Sequence, residues 1–182
     1  MDKPQALFSP STFELPNGET VQIRQVQSAD AALLVDMFHH LSERTRRLRF
    51  HAYTGKLPQE RIWREAIALS DLDPDRQLAL VAVHAQEAET RIVGVARFAR
   101  ATADDVEAEA AVVVRDDFQR MGLGTHLLGL LLPLARSMGI KQILGWVAAE
   151  NRHMLDIINK TDLPTQRVTR SGETLVTIYL EQ

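Results

Sequence analysis

The stretch "RDDFQRMGLG", Arg115 to Gly124, joins an apolar run, Ala110 to Val114, to a leucine-rich one, Leu127 to Leu134. Its residue types suit the holding of an anion. The first N–H groups of a helix have no partner inside it, and the helix dipole adds partial positive charge at the same end. Gly122 and Gly124 let a phosphate approach the backbone. Arg120 and Arg115 can add full charges. A plain strand–helix turn with a solvated arginine has the same glycine spacing, so spacing alone leaves both readings open. Upstream, Glu107 and Glu109 fall on one face of the preceding strand, and a carboxylate there can accept a proton. Two other glycine motifs are excluded. No Lys-Ser/Thr pair follows Gly124, as a Walker A loop requires. The third glycine of a dinucleotide fingerprint is missing, and the preceding elements look like antiparallel hairpins.

The elements that must position these residues follow from periodicity. The first twenty residues carry Pro4, Pro10, Pro16 and Asn17-Gly18, which predicts an arm ending in a turn, with a hairpin into the next strand as one outcome. Val21 to Val26 alternates and predicts a strand with one buried face. A helix follows, opened by Ser28 as its cap, with Leu33, Met37 and Leu41 at helical spacing. Pro58 to Leu69 predicts a second helix with Ile62, Ala66 and Leu69 on one stripe. "QLALVAVHA" and "RIVGVARFA" predict strands flanking a polar hairpin loop, "QEAET", and "EAEAAVVVR" predicts a third. Gly122 to Met138 predicts a helix stopped by Gly139 and kinked or shortened by Pro133. Strand, short helix and strand follow in "IKQILGWVAA", "ENRHMLDIINK" and "ETLVTIYLE". The order implies a single mixed α/β domain.

Composition narrows the function classes. The chain has 182 residues and 45% hydrophobic residues, enough for one substantial core. It has no cysteine, which excludes disulfides and thiolate metal sites. His39, His40, His51, His84, His126 and His153 show no metal-ligand spacing, so no metal is assigned. A net charge of −3 gives no bulk attraction to nucleic acid. The start has no signal-peptide hydrophobic region and no apolar run reaches membrane-spanning length, so a soluble cytoplasmic protein without membrane or nucleic-acid partners is expected. Trp63 and Trp146 are expected in the core. Arg44, Arg46, Arg47 and Arg49 are expected as a solvated helix end, with contact to a phosphate or to an acidic protein surface as the alternative.

Gln119-x-x-Gly122-x-Gly124 resembles the acyl-CoA-binding motif of the GNAT superfamily of N-acetyltransferases, Gln/Arg-x-x-Gly-x-Gly/Ala. The element order fits over roughly Val21 to Leu180. The resemblance implies the GNAT fold, a central, mostly antiparallel sheet of about six to seven strands flanked by about four helices. It also implies an arm over 1–20, an acetyltransferase domain over 21–182, and acetyl-CoA as cosubstrate without a metal. Within the superfamily, "LSERTRRLRFH", "QLALVAV", "EAAVVVRDDFQRMGLGTHLL" and "AENRHML" look like the acetyltransferase domain of bacterial Pat-type protein-lysine acetyltransferases. The arm leaves no room for the cyclic-nucleotide-binding or acyl-CoA synthetase domain often attached in that group, so a stand-alone form is expected.

The site residues follow from that resemblance. The Pat-like pattern puts the general base ten positions before the motif glutamine, at Glu109, with Glu107 as fallback. Val112, Val113 and Val114 would meet the pantetheine arm. Gln119, Arg120, Met121, Gly122, Leu123, Gly124 and Thr125 would hold the pyrophosphate. Asn151 matches an asparagine near the cofactor arm, and it would equally serve as a helix N-cap. The sequence departs from the superfamily in one place. "NRHMLDIINKTDLP" has no tyrosine to act as general acid, and Thr161-Asp162-Leu163 replaces a familiar Gly-Phe. The acid is unassigned, and water can serve. The expected reaction is acetyl transfer from acetyl-CoA to a primary amine, with a protein lysine as the narrower expectation. The alternatives are a small-molecule amine as acceptor, or a non-catalytic acyl-CoA sensor. The sequence gives no oligomeric state.

Overall fold

A strand buried on both faces reads as continuous apolar sequence, and two such runs form the middle of the sheet. The computed structural model describes residues 8–50, 57–86 and 89–181. Along the chain lie β1 (Ser11–Glu14), β2 (Thr20–Gln25), α1 (Ala31–His40), α2 (Glu43–Phe50) and α3 (Gln59–Ser70). Then come β3 (Gln77–Gln86), β4 (Glu89–Ala99), β5 (Glu107–Val114), α4 (Leu123–Ser137), β6 (Gln142–Ala148), α5 (Arg152–Asn159), β7 (Thr165–Arg170) and β8 (Glu173–Tyr179). The strands make one sheet in the order β1-β2-β3-β4-β5-β6-β8-β7. Only β5 and β6 pair in parallel.

The central strands β3 and β4 separate two cores. One face packs on α4 and α5 through Leu78, Leu80, Phe98, Leu127 and Leu131. The other packs on α1 and α3 through Val81, Val95, Met37 and Ile62. The α4 core is tight where a β4 glycine meets the helix. A Cβ on Gly94 would lie 3.0 Å from Leu127 Cδ1.

The mixed, mostly antiparallel fold agrees with expectation, and the described residues hold one strand and one helix more than the expected upper counts. The hairpin outcome for the first twenty residues holds over the described part, since Ser11–Glu14 pairs with Thr20–Gln25 across Asn17-Gly18; Pro4 lies outside the described residues. The "QEAET" loop is shorter than predicted, because Gln86 and Glu89 already pair. α2 and β7 were not anticipated. α2 has no apolar stripe, and every residue of β7 is exposed. Ser28 does not cap α1. It opens a short 3-10 turn, and the Asp30 carboxylate occupies the entry instead, accepting the Gln27 N–H at 2.8 Å and pairing with both Arg24 terminal nitrogens at 2.7 Å. Pro133 does not end α4, which continues to Ser137 because the buried stripe Leu127, Leu131 and Ala135 runs past it. Gly139 stops it as expected, at φ +80°.

Candidate active site

The site begins where two parallel strands part. β5 and β6 pair only over Glu107–Glu109 against Gln142–Leu144. Beyond Glu109, β5 stays with β4 up to Val114, while β6 stays with β8 up to Ala148. The strands diverge because each follows a different twisted neighbour. A cleft of about 380 Å³ opens between them, a size that takes small-molecule ligands.

Divergence leaves the open edge of β5 without a strand partner. The Arg115 N–H donates to Val93 on the β4 side. Alternation therefore turns the N–H and C=O groups of Ala110, Val112 and Val114 toward the cleft. Val112, Val113 and Val114 all line it.

At the far end of β5 the chain builds a cradle of donors. Arg120 and Gly122 both take left-handed backbone, at φ +61° and +83°. A glycine adopts this at no steric cost, whereas Arg120 holds a strained conformation. Among the described residues, the backbone N–H groups of Arg120 to Thr125 donate to no protein acceptor; the first helical bond runs from the His126 N–H to the Gly122 carbonyl. Six successive free donors at a helix start make an anion nest. The exposed Arg120 side chain borders it.

The Gln119 side chain braces this loop. Its amide donates to the Val114 carbonyl at 2.9 Å and to Thr45 Oγ1 at 3.2 Å. Asp116 ties the same loop to α2. It accepts from the Ser42 N–H at 2.9 Å, from Ser42 Oγ at 2.7 Å and from Thr45 Oγ1 at 2.7 Å. Burial alone would raise the Asp116 pKa, and these donors together hold it below the usual carboxylate range. α2 thus forms a wall of the cleft, with Thr45, Leu48 and Arg49 facing in. Burial and the neighbouring Arg97 charge push the Arg49 pKa down to about 10, against the pull of Glu109. Arg47 reaches from α2 to Glu150 beyond β6, at 2.9 Å.

A model of the acetyltransferase (GNAT) family matches residues 36–160. The chain belongs to the GNAT family. Acetyltransferase PA5475 of Pseudomonas aeruginosa is 32% identical over 148 residues, covering 79% of this chain and 74% of that protein. The GNAT domain of S. lividans PAT has the same fold, at a TM-score of 0.79 and 23% identity over 93% of this chain and 96% of that one. YncA of Salmonella typhimurium, solved with acetyl-CoA, superposes at a TM-score of 0.65 and 17% identity, over 89% of this chain and 95% of that one. The protein is therefore a GNAT acetyltransferase, and its cleft is the candidate active site.

Most of the expected site residues meet in this GNAT cleft. Glu109, Val112 to Val114, Gln119, Arg120, Gly122, Gly124, Thr125 and Asn151 all line it. Met121 and Leu123 do not. Their side chains pack into the core, and their N–H groups belong to the run of free donors. Asn151 caps α5, accepting the Met154 N–H at 3.2 Å, so the capping role is realised beside the cleft. Arg115 is not available for an anion there, being buried and paired with Asp117 at 2.8 and 2.9 Å.

The tryptophans and the arginine cluster depart from expectation. Trp63 is 39% exposed on α3, and Trp146 is 49% exposed on the cleft wall of β6. Trp63 flanks the buried stripe of α3, and Trp146 lies on the face of β6 opposite Ile143 and Val147, so hydrophobicity alone misplaces both. Arg46 and Arg49 have buried Nε atoms, so the cluster is not simply solvated. Thr45 was missed, and its signal is weak because its partner Asp116 is 71 residues away. His51 lies outside the described residues.

Proposed function

We propose that the protein transfers an acetyl group from acetyl-CoA to a primary amine, with a protein lysine as the acceptor class. The run of free N–H groups from Arg120 to Thr125 carries this reading. It fits a pyrophosphate in charge, in donor number and in its place at a helix start. The N–H groups of Ala110 and Val112 can pair with the pantetheine amides as a neighbouring strand would. From Val114 back to Glu109 the strand spans about 17 Å, which sets the reacting carbon near Glu109. Acetyl-CoA supplies the activated acetyl thioester.

The protein's own groups then act in sequence. A cleft-facing N–H of β5 polarises the thioester carbonyl. The Glu109 carboxylate takes the proton from the acceptor ammonium, so that its nitrogen pair can attack the carbonyl carbon. The C–S bond breaks, the new amide nitrogen gives its second proton to water, and the CoA thiolate takes that proton up from the water. α5 contains no tyrosine, and Tyr179 is engaged with Gln166 at the sheet edge. Lysine as acceptor is supported by the Pat-like sequence stretches.

Gly124→Glu tests the donor assignment. A Cβ at Gly124 would lie 3.2 Å from Ile157 Cδ1, and the added carboxylate would enter the anion nest. Calorimetry should show acetyl-CoA binding to the parent protein at micromolar affinity, about −8 kcal/mol, and none to the folded variant. Equal binding by both would overturn the assignment. Release of CoA in the presence of lysine peptides, but not of simple amines, would support the lysine reading.

A further inference from the structure

The wall that carries Glu109 also carries two guanidiniums with no ion pair among the described residues, one of them, Arg49, lying over the Phe50 ring at 5.1 Å. Glu109 alternates with Ala111 and Val113 along β5, and Val113 packs with the α1–α3 core. Arg97 on β4 lies opposite Ala111. Its neighbours Ala96 and Phe98 point into the other core, so Arg97 shares the face of Glu109. Arg49 enters the same face from α2 and lines the cleft beside Glu109.

Two other guanidiniums here, one half-buried and one buried, have fixed carboxylates: Arg24 has Asp30, and Arg115 has Asp117. Arg49 and Arg97 form no ion pair among the described residues. The Arg49 Nε is buried with no hydrogen-bond partner. A buried donor left unfilled costs free energy until an acceptor completes it. Two guanidiniums against one Glu109 leave one positive charge, which a single carboxylate matches. A guanidinium fork also fits carboxylate geometry.

We propose that Arg49 and Arg97 form an anion subsite that takes a carboxylate of the acceptor, set beside the amine offered to Glu109. The acceptor is then an amine with a carboxylate close by. An acidic residue flanking a lysine provides this, and so does the α-carboxylate of a free amino acid. The subsite rests on the acetyl-transfer reading of the cleft.

Matched acceptors test it. One arm compares lysine peptides with a neighbouring glutamate or glutamine. The other compares a free amino acid with its amide. In the arm that turns over, kcat/KM should favour the carboxylate form by roughly 10- to 100-fold. Arg97→Gln and Arg49→Gln should bring that ratio toward one, and Arg49→Lys should keep part of it, having charge without the fork. The two variants lie on separate elements, α2 and β4, which guards against a folding defect in either one. A ratio near one in the parent protein, or an unchanged ratio in both glutamine variants, overturns the proposal. Where no acceptor turns over, glutarate is titrated while the arginine Nε–H resonances are followed by NMR. Binding that is lost in Arg97→Gln supports the subsite and places the failure on the acetyl-transfer reading. No shift in the parent protein overturns the subsite.

Discussion

At the scale of single residues, position relative to the fork separates two chemically identical side chains. Glu107 and Glu109 share a strand face, but Glu107 pairs with Gln142 at the end of the parallel ladder away from the fork, while Glu109 is in the pair at the fork and lines the cleft. Glu109→Gln keeps the shape and removes the proposed base. Turnover should fall roughly 10²- to 10⁴-fold, with acetyl-CoA affinity nearly unchanged. Raising the pH should restore part of the rate, because more acceptor amine is then neutral. Glu107→Gln is the matched control and should slow the reaction far less. Steady-state kinetics of both variants decide the matter: a slow Glu107→Gln beside a normal Glu109→Gln reverses the roles, and two normal variants remove the base from this strand. Spacing could not choose between the two carboxylates, because the choice depends on where β6 leaves β5.

At the scale of elements, α2 is held by contacts from outside itself. Ser42 caps it locally, its Oγ accepting the Thr45 N–H at 3.1 Å. The Asp116 carboxylate then fastens that cap to the loop before α4. Asp116→Ala should cost about 1 kcal/mol, the usual worth of a cap, and lower Tm by about 2–4 °C. Amide exchange over Glu43–Phe50 should speed up more than exchange in α1 or α3. The acceptor KM should rise more than kcat falls, because α2 supplies cleft wall and no transferred proton. Unchanged exchange in α2 would show that packing, not Asp116, holds it. Sequence patterning finds helices by their apolar stripe, and α2 has only Leu48 and Phe50. Its helicity is a consequence of the loop beneath it.

At the scale of the whole molecule, the first strand is wired to α4. Phe13 of β1 stacks on His126 of α4, with ring centroids 4.3 Å apart and planes at 20°. The His126 Nε2 is buried without a hydrogen-bond partner. Burial lowers the pKa of His126 below its usual 6.5. The folded state therefore favours the neutral ring, and the unfolded chain binds the proton first as pH falls. The stability from this group is complete above about pH 6.5 and declines as pH drops through the lowered folded value. Melting temperatures from pH 8 to pH 5 should fall more steeply for the parent protein than for His126→Phe, which keeps the stack and cannot titrate. Parallel curves would show that His126 does not contribute to acid sensitivity. Among the described residues no helix is long and apolar enough to cross a membrane.

What the chain determines by itself is what local chemistry can encode. Gly122 and Gly124 before a leucine-rich helix specify the anion nest, because free N–H groups and left-handed backbone depend only on neighbours in sequence. The apolar runs of β3 and β4 specify central strands, because both of their faces must be covered. The mixed domain and most of the cleft residues follow from these. Tertiary structure decided everything that depends on a distant partner. β7 carries no buried residue, and its ladder with β8 makes it a strand. Trp146 stands on the cleft wall because β6 parts from β5, and hydrophobicity alone assigns it to the core. Arg49 meets Glu109 and Arg97 from segments 60 and 48 positions away in the chain. Charge acts through space, so a basic cluster in sequence cannot show which of its members becomes buried.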